Sequence, residues 1–302
     1  MDTPSPIIKI EQKDFSDYPF LTRLLELHQI PSQIYIQGTI PTITFDEYGR
    51  SNPRILTVIG SRKNTSYGKQ ALENLIASLQ GYNVIILSGL ALGIDGLAHR
   101  IALKENLITI AIPGSGLGER VLYPSSHKYL RKEILDNNGL ILSELPDDSP
   151  ATPWTFPQTN RLMAALSDAV LVVEAEEKSG TLITAKLALE LGKDIGAIPG
   201  DIFSPTQKGI QMLLRNGAYP ITSGDDLLSL LHISPKITTI EKETTSLSQE
   251  EKNILELLRE PIDKDALFSK TSLAFPEFIS VFSSLEMKGY IEESFGEVRK
   301  IV

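Results

Sequence analysis

From Arg54 onward the chain alternates short β-branched runs, apolar at nearly every position, with longer stretches whose apolar residues recur every three or four places. The runs are RILTVI, NVIIL, LITIAI, GLILS, AVLVVEA and DIGAIP. A strand apolar on both faces is one buried between two layers, as in a parallel sheet. The intervening YGKQALENLIASLQG, GLAHRIALKEN, SSHKYLRKEILDNNG and TLITAKLALELGK read as helices, with Gly81 and Gly192 as stops at or just past their ends. This β-α-β repetition predicts an α/β fold with a doubly wound parallel sheet, an extended Rossmann-like core spanning residues 51–232. Ligands of such sheets bind beyond the carboxyl ends of the strands. Here those ends carry Gly60-Ser61-Arg62, Ser88-Gly89, Gly114-Ser115-Gly116 and Glu174.

The flanks follow other patterns. Residues 1–50 hold one helical pattern, PFLTRLLELHQ, and the strand-like QIYIQG, which predicts a short N-terminal cap. Residues 233–247, rich in Thr, Ser and charge, read as a linker. Residues 248–302 contain three helical patterns, then YIEES, Gly296 and VRKIV as a hairpin; three helices and a two-stranded wing resemble a small winged-helix domain.

The 302-residue chain, 41% hydrophobic and 22% charged, has the balance of an ordinary soluble protein and room for one large core plus a small domain. It contains no cysteine, which excludes disulfides, thiolate metal sites and a cysteine nucleophile. The N-terminus lacks a basic-then-apolar leader pattern, and no apolar run approaches a membrane span, so a cytoplasmic location is expected. The formal net charge of −9 argues against a nucleic-acid-coated surface, yet residues 61–132 carry nine Lys/Arg against four acids, a local +5. From residue 233 to the end, nine Lys/Arg face thirteen acids. The two regions should attract different partners.

VIGSRKNTSYG, Val58 to Gly68, has the layout of a strand, a glycine-bearing loop and a helix that receives an anion. A dinucleotide site would need G-x-G-x-x-G, but PGSGLGER places Glu119 at the third glycine position, and no P-loop signature occurs. SGLALGIDGLAHR frees the backbone at Gly89 and Gly93 beside Ser88, offers Asp95 as a helix cap and sets His99 four residues later on the same side. That is either an anion-cradling loop over a polar pair, or a capped helix whose histidine is held by a carboxylate as packing. EAEEKSGTLITAKLALE adds a second glycine turn, Ser179-Gly180-Thr181, at a helix start.

GSRKNTSYG, SGLALGIDGLAH, TIAIPGSGLGERVLYP, NRLMAALSDAVLVVEA and SGTLITAKLALELGK, in this order, resemble the DNA-processing protein A family, DprA or Smf. The resemblance spans residues 17 to 225, and the acidic tail is similar to a C-terminal domain that many members carry. It implies a protein without a cofactor that binds single-stranded DNA in a positive pocket at the strand ends, forms homodimers and loads the RecA recombinase in natural transformation. Carried onto this chain, Arg62 contacts a phosphate bidentately, Gly60 and Ser61 offer further donors, and Asn160 and Arg161 sit at the same pocket. Phe156 is the candidate for stacking a base, the alternative for Trp154 and Phe156 being a hydrophobic plug. Members commonly read Arg-Asn-Arg where this chain has Thr159-Asn160-Arg161, so Lys63, Lys128 or Lys132 would supply the missing charge.

A nucleotide-processing hydrolase is the alternative, because related phosphoribohydrolases carry P-G-G-x-G-T-x-x-E. SGTLIT supplies Gly180 and Thr181, but the carboxylate position is Thr184, and a hydroxyl cannot act as a charged acid or base. In the tail, AFPEFISVFSSLEMKG carries only Lys288 against Glu277 and Glu286, which favours a protein contact over duplex reading.

Overall fold

The computed structural model describes residues 5–235, 247–258, 262–288, 290–294 and 297–300. The expected linker lies largely in 236–246, outside the described residues, as does Gly296 of the expected hairpin. The chain divides into two compact units, Met1–Pro235 and Lys236–Val302.

In the first unit β1 (Ile8–Glu11), α1 (Pro19–Thr22), β2 (Gln33–Gly38) and the short pair β3 (Thr44–Phe45) and β4 (Ser51–Asn52) precede the alternating region. There follow β5 (Arg54–Ile59), α2 (Ser66–Ala77), β6 (Val84–Ser88), α3 (Ile94–Lys104), β7 (Thr109–Ala111), α4 (Lys128–Asp136) and β8 (Leu140–Ser143). Then come α5 (Thr155–Leu166), β9 (Ala169–Val172), α6 (Gly180–Glu190), β10 (Asp194–Ala197), α7 (Lys208–Arg215), β11 (Tyr219–Pro220) and α8 (Gly224–Leu230). All six apolar runs form strands of one nine-stranded sheet, ordered β1-β2-β8-β7-β6-β5-β9-β10-β11.

The strands from β8 to β11 in that order are parallel throughout, and both faces are packed. Side chains alternate between two cores: Ile55, Ile59, Ile85, Leu87, Val170 and Val172 join one, while Leu56, Val58, Val84, Ile86, Ala169 and Leu171 join the other. This is why the runs show no polar alternation. The chain builds outward from β5 through β6, β7 and β8, then returns to lay β9 on the other side of β5. The crevice between β5 and β9 is therefore the topological switch point, where such sheets bind ligands.

Residues 8–38, expected as a cap, instead furnish the two strands at the sheet's edge, β1 and β2, with β2 antiparallel to β8. The helical pattern beginning at Pro19 yields one α-helical turn followed by a 3-10 turn at Arg23–Glu26. Phe20, Leu21 and Leu24 are buried there, and Arg23 is buried with them. Its guanidinium reaches Leu166 O at 3.0 Å and Asp168 Oδ1 at 2.7 Å. Asp168 also accepts from Ser51 and from the Ile55 amide at 2.7 Å, so one carboxylate ties the N-terminal segment to the start of β5.

In the second unit α9 (Gln249–Leu257), β12 (Ile262–Asp263), α10 (Lys264–Ser269), α11 (Phe275–Met287), β13 (Ile291–Ser294) and β14 (Glu297–Lys300) enclose a core of Ile254, Leu267, Phe278, Phe282 and Leu285. The strands form an antiparallel sheet ordered β12-β14-β13. Lys288, the cation that follows α11, bonds the buried Glu251 at 2.6 Å, and Glu251 also accepts from Ser284 at 2.7 Å. Its charge is spent inside the unit.

Burial opposes ionisation of Asp168, but bonds from Arg23, Ser51 and Ile55 more than offset it and hold its carboxyl below the ordinary 3.8. Its contribution to stability is complete above about pH 4 and disappears as pH falls through the lowered value. Asp168→Ala should cost about 3–5 kcal/mol, because it strands the buried Arg23 charge. Urea unfolding at pH 7 measures that cost, and the pH dependence of Asp168→Asn should be shallower than the wild type's on the acid side.

Candidate functional site

A cavity of about 690 Å³ opens at the switch point, walled by the segments leaving β5, β6, β7 and β9 and by the first turns of α5 and α6. Gly60, Ser61, Arg62 and Lys63 line one side, Gly89 the floor, and Asn160, Ser179, Gly180 and Thr181 the other sides. Nine of the twelve residues expected to contact phosphate thus meet around one opening.

The loop after β5 is clamped at both ends. At its start the Gly60 backbone is packed on Ile94, and Ser61 O accepts the Ile94 amide at 3.1 Å. The Ser61 hydroxyl accepts the Lys63 amide at 3.1 Å, which closes a small turn. At its end Thr65 caps α2, accepting the Gly68 amide at 3.1 Å, and gives its own amide and hydroxyl to the buried Glu174 at 3.0 and 2.5 Å. Glu174 leaves the end of β9, so the two strands of the switch point hold one loop between them. From it the exposed side chains of Arg62 and Lys63 project, and neither makes an ion pair among the described residues.

Beneath the loop lies Asp95, which corrects an expectation. The N-cap of α3 is Gly93, at φ +79°, and Asp95 does not cap the helix. Its buried carboxylate instead lies close to the backbone of Gly89, and the backbone groups of Ala91, Gly89 and Gly60 favour its ionised form. Two of the glycines expected to offer backbone donors to an anion therefore neighbour a carboxylate of the protein. Burial pushes the Asp95 carboxyl up to about 7, against the opposing pull of those backbone groups and of Arg62. His99 does not meet Asp95 either. Its Nδ1 lies 2.7 Å from Thr109 Oγ1, whose hydroxyl donates to Ile86 O, and burial drives its pKa down to about 3. His99 is a neutral core histidine.

Five further expected residues do not line the cavity. The Ser88 hydroxyl is buried and bonds Val58 O at 2.6 Å, stitching β6 to β5. Gly93 lies behind the loop, packed on Ser61 and Arg62 so closely that a Cβ would sit 2.2 Å from Ser61 O. Arg161 bonds Gln29 O at 2.8 Å and pairs with Glu144. Consecutive residues of a helix point about 100° apart, so Asn160 facing the cavity turns Arg161 away from it. Lys128 and Lys132 are exposed on α4, and Lys132 pairs with Asp136 one turn on. Thr159, in place of the usual arginine, is buried with its hydroxyl on Thr155 O at 2.9 Å.

Phe156 lines the cavity, but one face of its ring lies under the Arg62 guanidinium, 4.6 Å from the centroid. Tyr123 meets the ring at 71°, and the ring edge is packed onto Gly114. Phe156 therefore orients the cation. Trp154 is 81% exposed and plugs nothing. The residue order singles out Asp95 and Glu174 but not their roles: Glu174 holds the loop through Thr65, and Asp95 lies beneath it instead of capping α3. Among the described residues no cluster of His, Asp or Glu could hold a metal ion, and no helix is long and apolar enough to cross a membrane.

The model of the family described as DNA recombination-mediator protein A matches residues 8–232. Protein Smf of Escherichia coli is 32% identical over 92% of this chain and 73% of its own length. DNA processing protein DprA of Streptococcus pneumoniae is 36% identical over 68% of this chain and 69% of its own length. The X-ray structure of DNA processing protein A (DprA) from Streptococcus pneumoniae has a TM-score of 0.66 at 34% identity, covering 74% of each chain. The DNA processing protein A structure from Helicobacter pylori, described for its unique single-stranded DNA binding mode, has a TM-score of 0.60 at 28% identity, covering 77% of this chain and 98% of that one.

The glycines around the cavity should differ sharply in tolerance. Gly93→Ala combines a conformation closed to L side chains with overlap onto Ser61 and Arg62, and should cost about 2–4 kcal/mol in urea unfolding. Gly180→Ala, at a helix start with open space around it, should leave stability unchanged within about 0.5 kcal/mol.

Proposed function

Because the chain belongs to the DNA recombination-mediator protein A family, we propose that its cavity binds the phosphates of single-stranded DNA, in a protein that protects incoming strands and loads the RecA recombinase. The observation that carries this reading is Arg62: an exposed guanidinium held over Phe156, without a carboxylate partner among the described residues, at the switch point of the sheet. Lys63 adds a second unpaired charge. The first turn of α6 adds the partial positive charge of a helix N-terminus. With the Asp95 carboxylate beside the Gly60 and Gly89 backbone, recognition rests on side chains and on that helix end.

The single-stranded binding mode named for the Helicobacter pylori relative supports the choice of ligand. The protein acts as a homodimer, without catalysing a reaction, in DNA recombination and natural transformation in the cytoplasm. A phosphoribohydrolase reading is less favoured, because Thr184 lines the cavity where that signature places its carboxylate. In the winged-helix-like second unit the engagement of Lys288 by Glu251 removes the cation that would approach a duplex from α11. That unit serves a protein contact.

Fluorescence anisotropy with labelled oligo-dT and a matching duplex tests the reading. The strand should bind in preference to the duplex, and Arg62→Ala should weaken it roughly 10- to 100-fold, the loss of one charge-assisted phosphate contact. The slope of log affinity against log salt should flatten by about 0.7 in that variant. Unchanged affinity would sink the role of Arg62. Ionisation of Asp95 adds a negative charge beside the bound phosphate, so affinity should fall roughly three- to tenfold as pH rises from 6 to 8, through the Asp95 value of about 7.

A further inference from the structure

We infer that Trp154 is the base-stacking residue of this site, taking a base of the strand whose phosphate lies at Arg62. The inference rests on the single-stranded DNA reading and reassigns the aromatic contact within it. A stacked base needs an open ring face. On Phe156 one face already carries the Arg62 guanidinium, and a base entering there would displace the group that holds the phosphate. Its edge is packed onto Gly114 and Tyr123 stands against it. Trp154 has the opposite character: 81% of its surface is exposed, unusual for the side chain with the most apolar area to hide.

Its place in the fold fits that task. Trp154 is the N-cap residue of α5, flanked by Pro153, with Pro153, Phe156 and Pro157 all lining the cavity. The backbone beneath it is pinned on both sides. The Thr155 hydroxyl donates to Gly114 O at 2.6 Å and accepts the Thr152 amide at 3.0 Å, and the Thr155 amide bonds Thr152 O at 3.1 Å. A solvent-open indole on a pinned backbone, between residues that line the cavity, is a platform for a base, whose π-face gives attraction without sequence preference. Fixing the backbone that carries the ring beforehand reduces the ordering cost of binding. A protein partner would gain less here, since the neighbouring exposed charges, Arg62 and Lys63, favour an anionic chain.

Trp154 is the only tryptophan of the chain, so intrinsic fluorescence reports on this position alone. Adding unlabelled oligo-dT to the full-length protein should quench it. Trp154→Ala should weaken oligo-dT binding about 5- to 100-fold while Trp154→Phe keeps most of the affinity. Binding of an oligomer of abasic nucleotides, which offers phosphates but no bases, should be the same for Trp154→Ala and wild type. Circular dichroism of the variants checks that the exposed substitution leaves the fold intact.

If oligo-dT binds with the expected dependence on Arg62 but the fluorescence stays unmoved and Trp154→Ala binds like wild type, the assignment of Trp154 is overturned and the DNA reading stands. If fluorescence instead follows protein concentration without DNA, and Trp154→Ala changes the oligomeric state but not affinity, the ring faces a second copy and the assignment is also overturned. Failure of both oligo-dT and the abasic oligomer to bind wild type removes the DNA reading itself.

Discussion

A buried carboxylate beneath two glycine-bearing turns sets the geometry of the whole edge of this sheet. Asp95 sits where an ion is costly to desolvate, and three backbone groups from two different strand ends, with Arg62 nearby, offset only part of that cost. The arrangement joins the segments leaving β5 and β6 to the start of α3. It also sets a carboxylate beside the Gly60 and Gly89 backbone, so the exposed positive charge of the cavity comes from side chains carried on the loop rather than from a free nest of N–H groups.

Those side chains need a fixed base. Glu174 supplies it at the far end of the loop by binding the amide and hydroxyl of Thr65, while the close approach of Gly93 to Ser61 supports the near end. Between the two anchors Arg62 is exposed yet oriented, because the face of Phe156 restricts where its guanidinium rests. A cation–π contact suits this use better than an ion pair. It orients the charge without neutralising it, and leaves the guanidinium edge free to fork onto a phosphate.

Much of this was legible from residue order. Strands buried on both faces leave continuous apolar runs, so the parallel sheet and the strand ends that line the cavity could be read before any contact was known, while the switch point needed the strand order. The edge strands β1 and β2 could not: IKIE is four residues long, and its place depends on pairing with a segment more than twenty residues away. Site residues failed where the deciding fact was direction. Ser88 ends an apolar run like a ligand-binding loop residue, but its hydroxyl satisfies Val58 O inside the sheet. Arg161 follows a cavity residue on a helix and is carried out of reach by the helical angle, into a partly buried pair with Glu144. Asp95 looked like a cap because acids near helix starts commonly are; the glycine two places earlier took that position and freed the carboxylate to turn beneath the loops.

Net charge misleads for a related reason. The chain carries −9 overall, yet binding depends on which charges lack partners and where they stand. Among the described residues Arg23, Arg161, Lys193 and Lys288 are held by carboxylates, so each contributes to cohesion and little to the outer field. Arg62 and Lys63 have no such partner and share one loop at the crevice. Screening confines a surface charge to roughly a Debye length, about 8 Å at physiological salt, so a net total says little about the field at a cavity mouth. Asp95 lines that cavity and is buried besides, so its charge is screened less by solvent than that of an exposed acid. An overall acidic protein can therefore present a locally positive edge, because the field there follows the unpaired cations at the cavity and not the total charge.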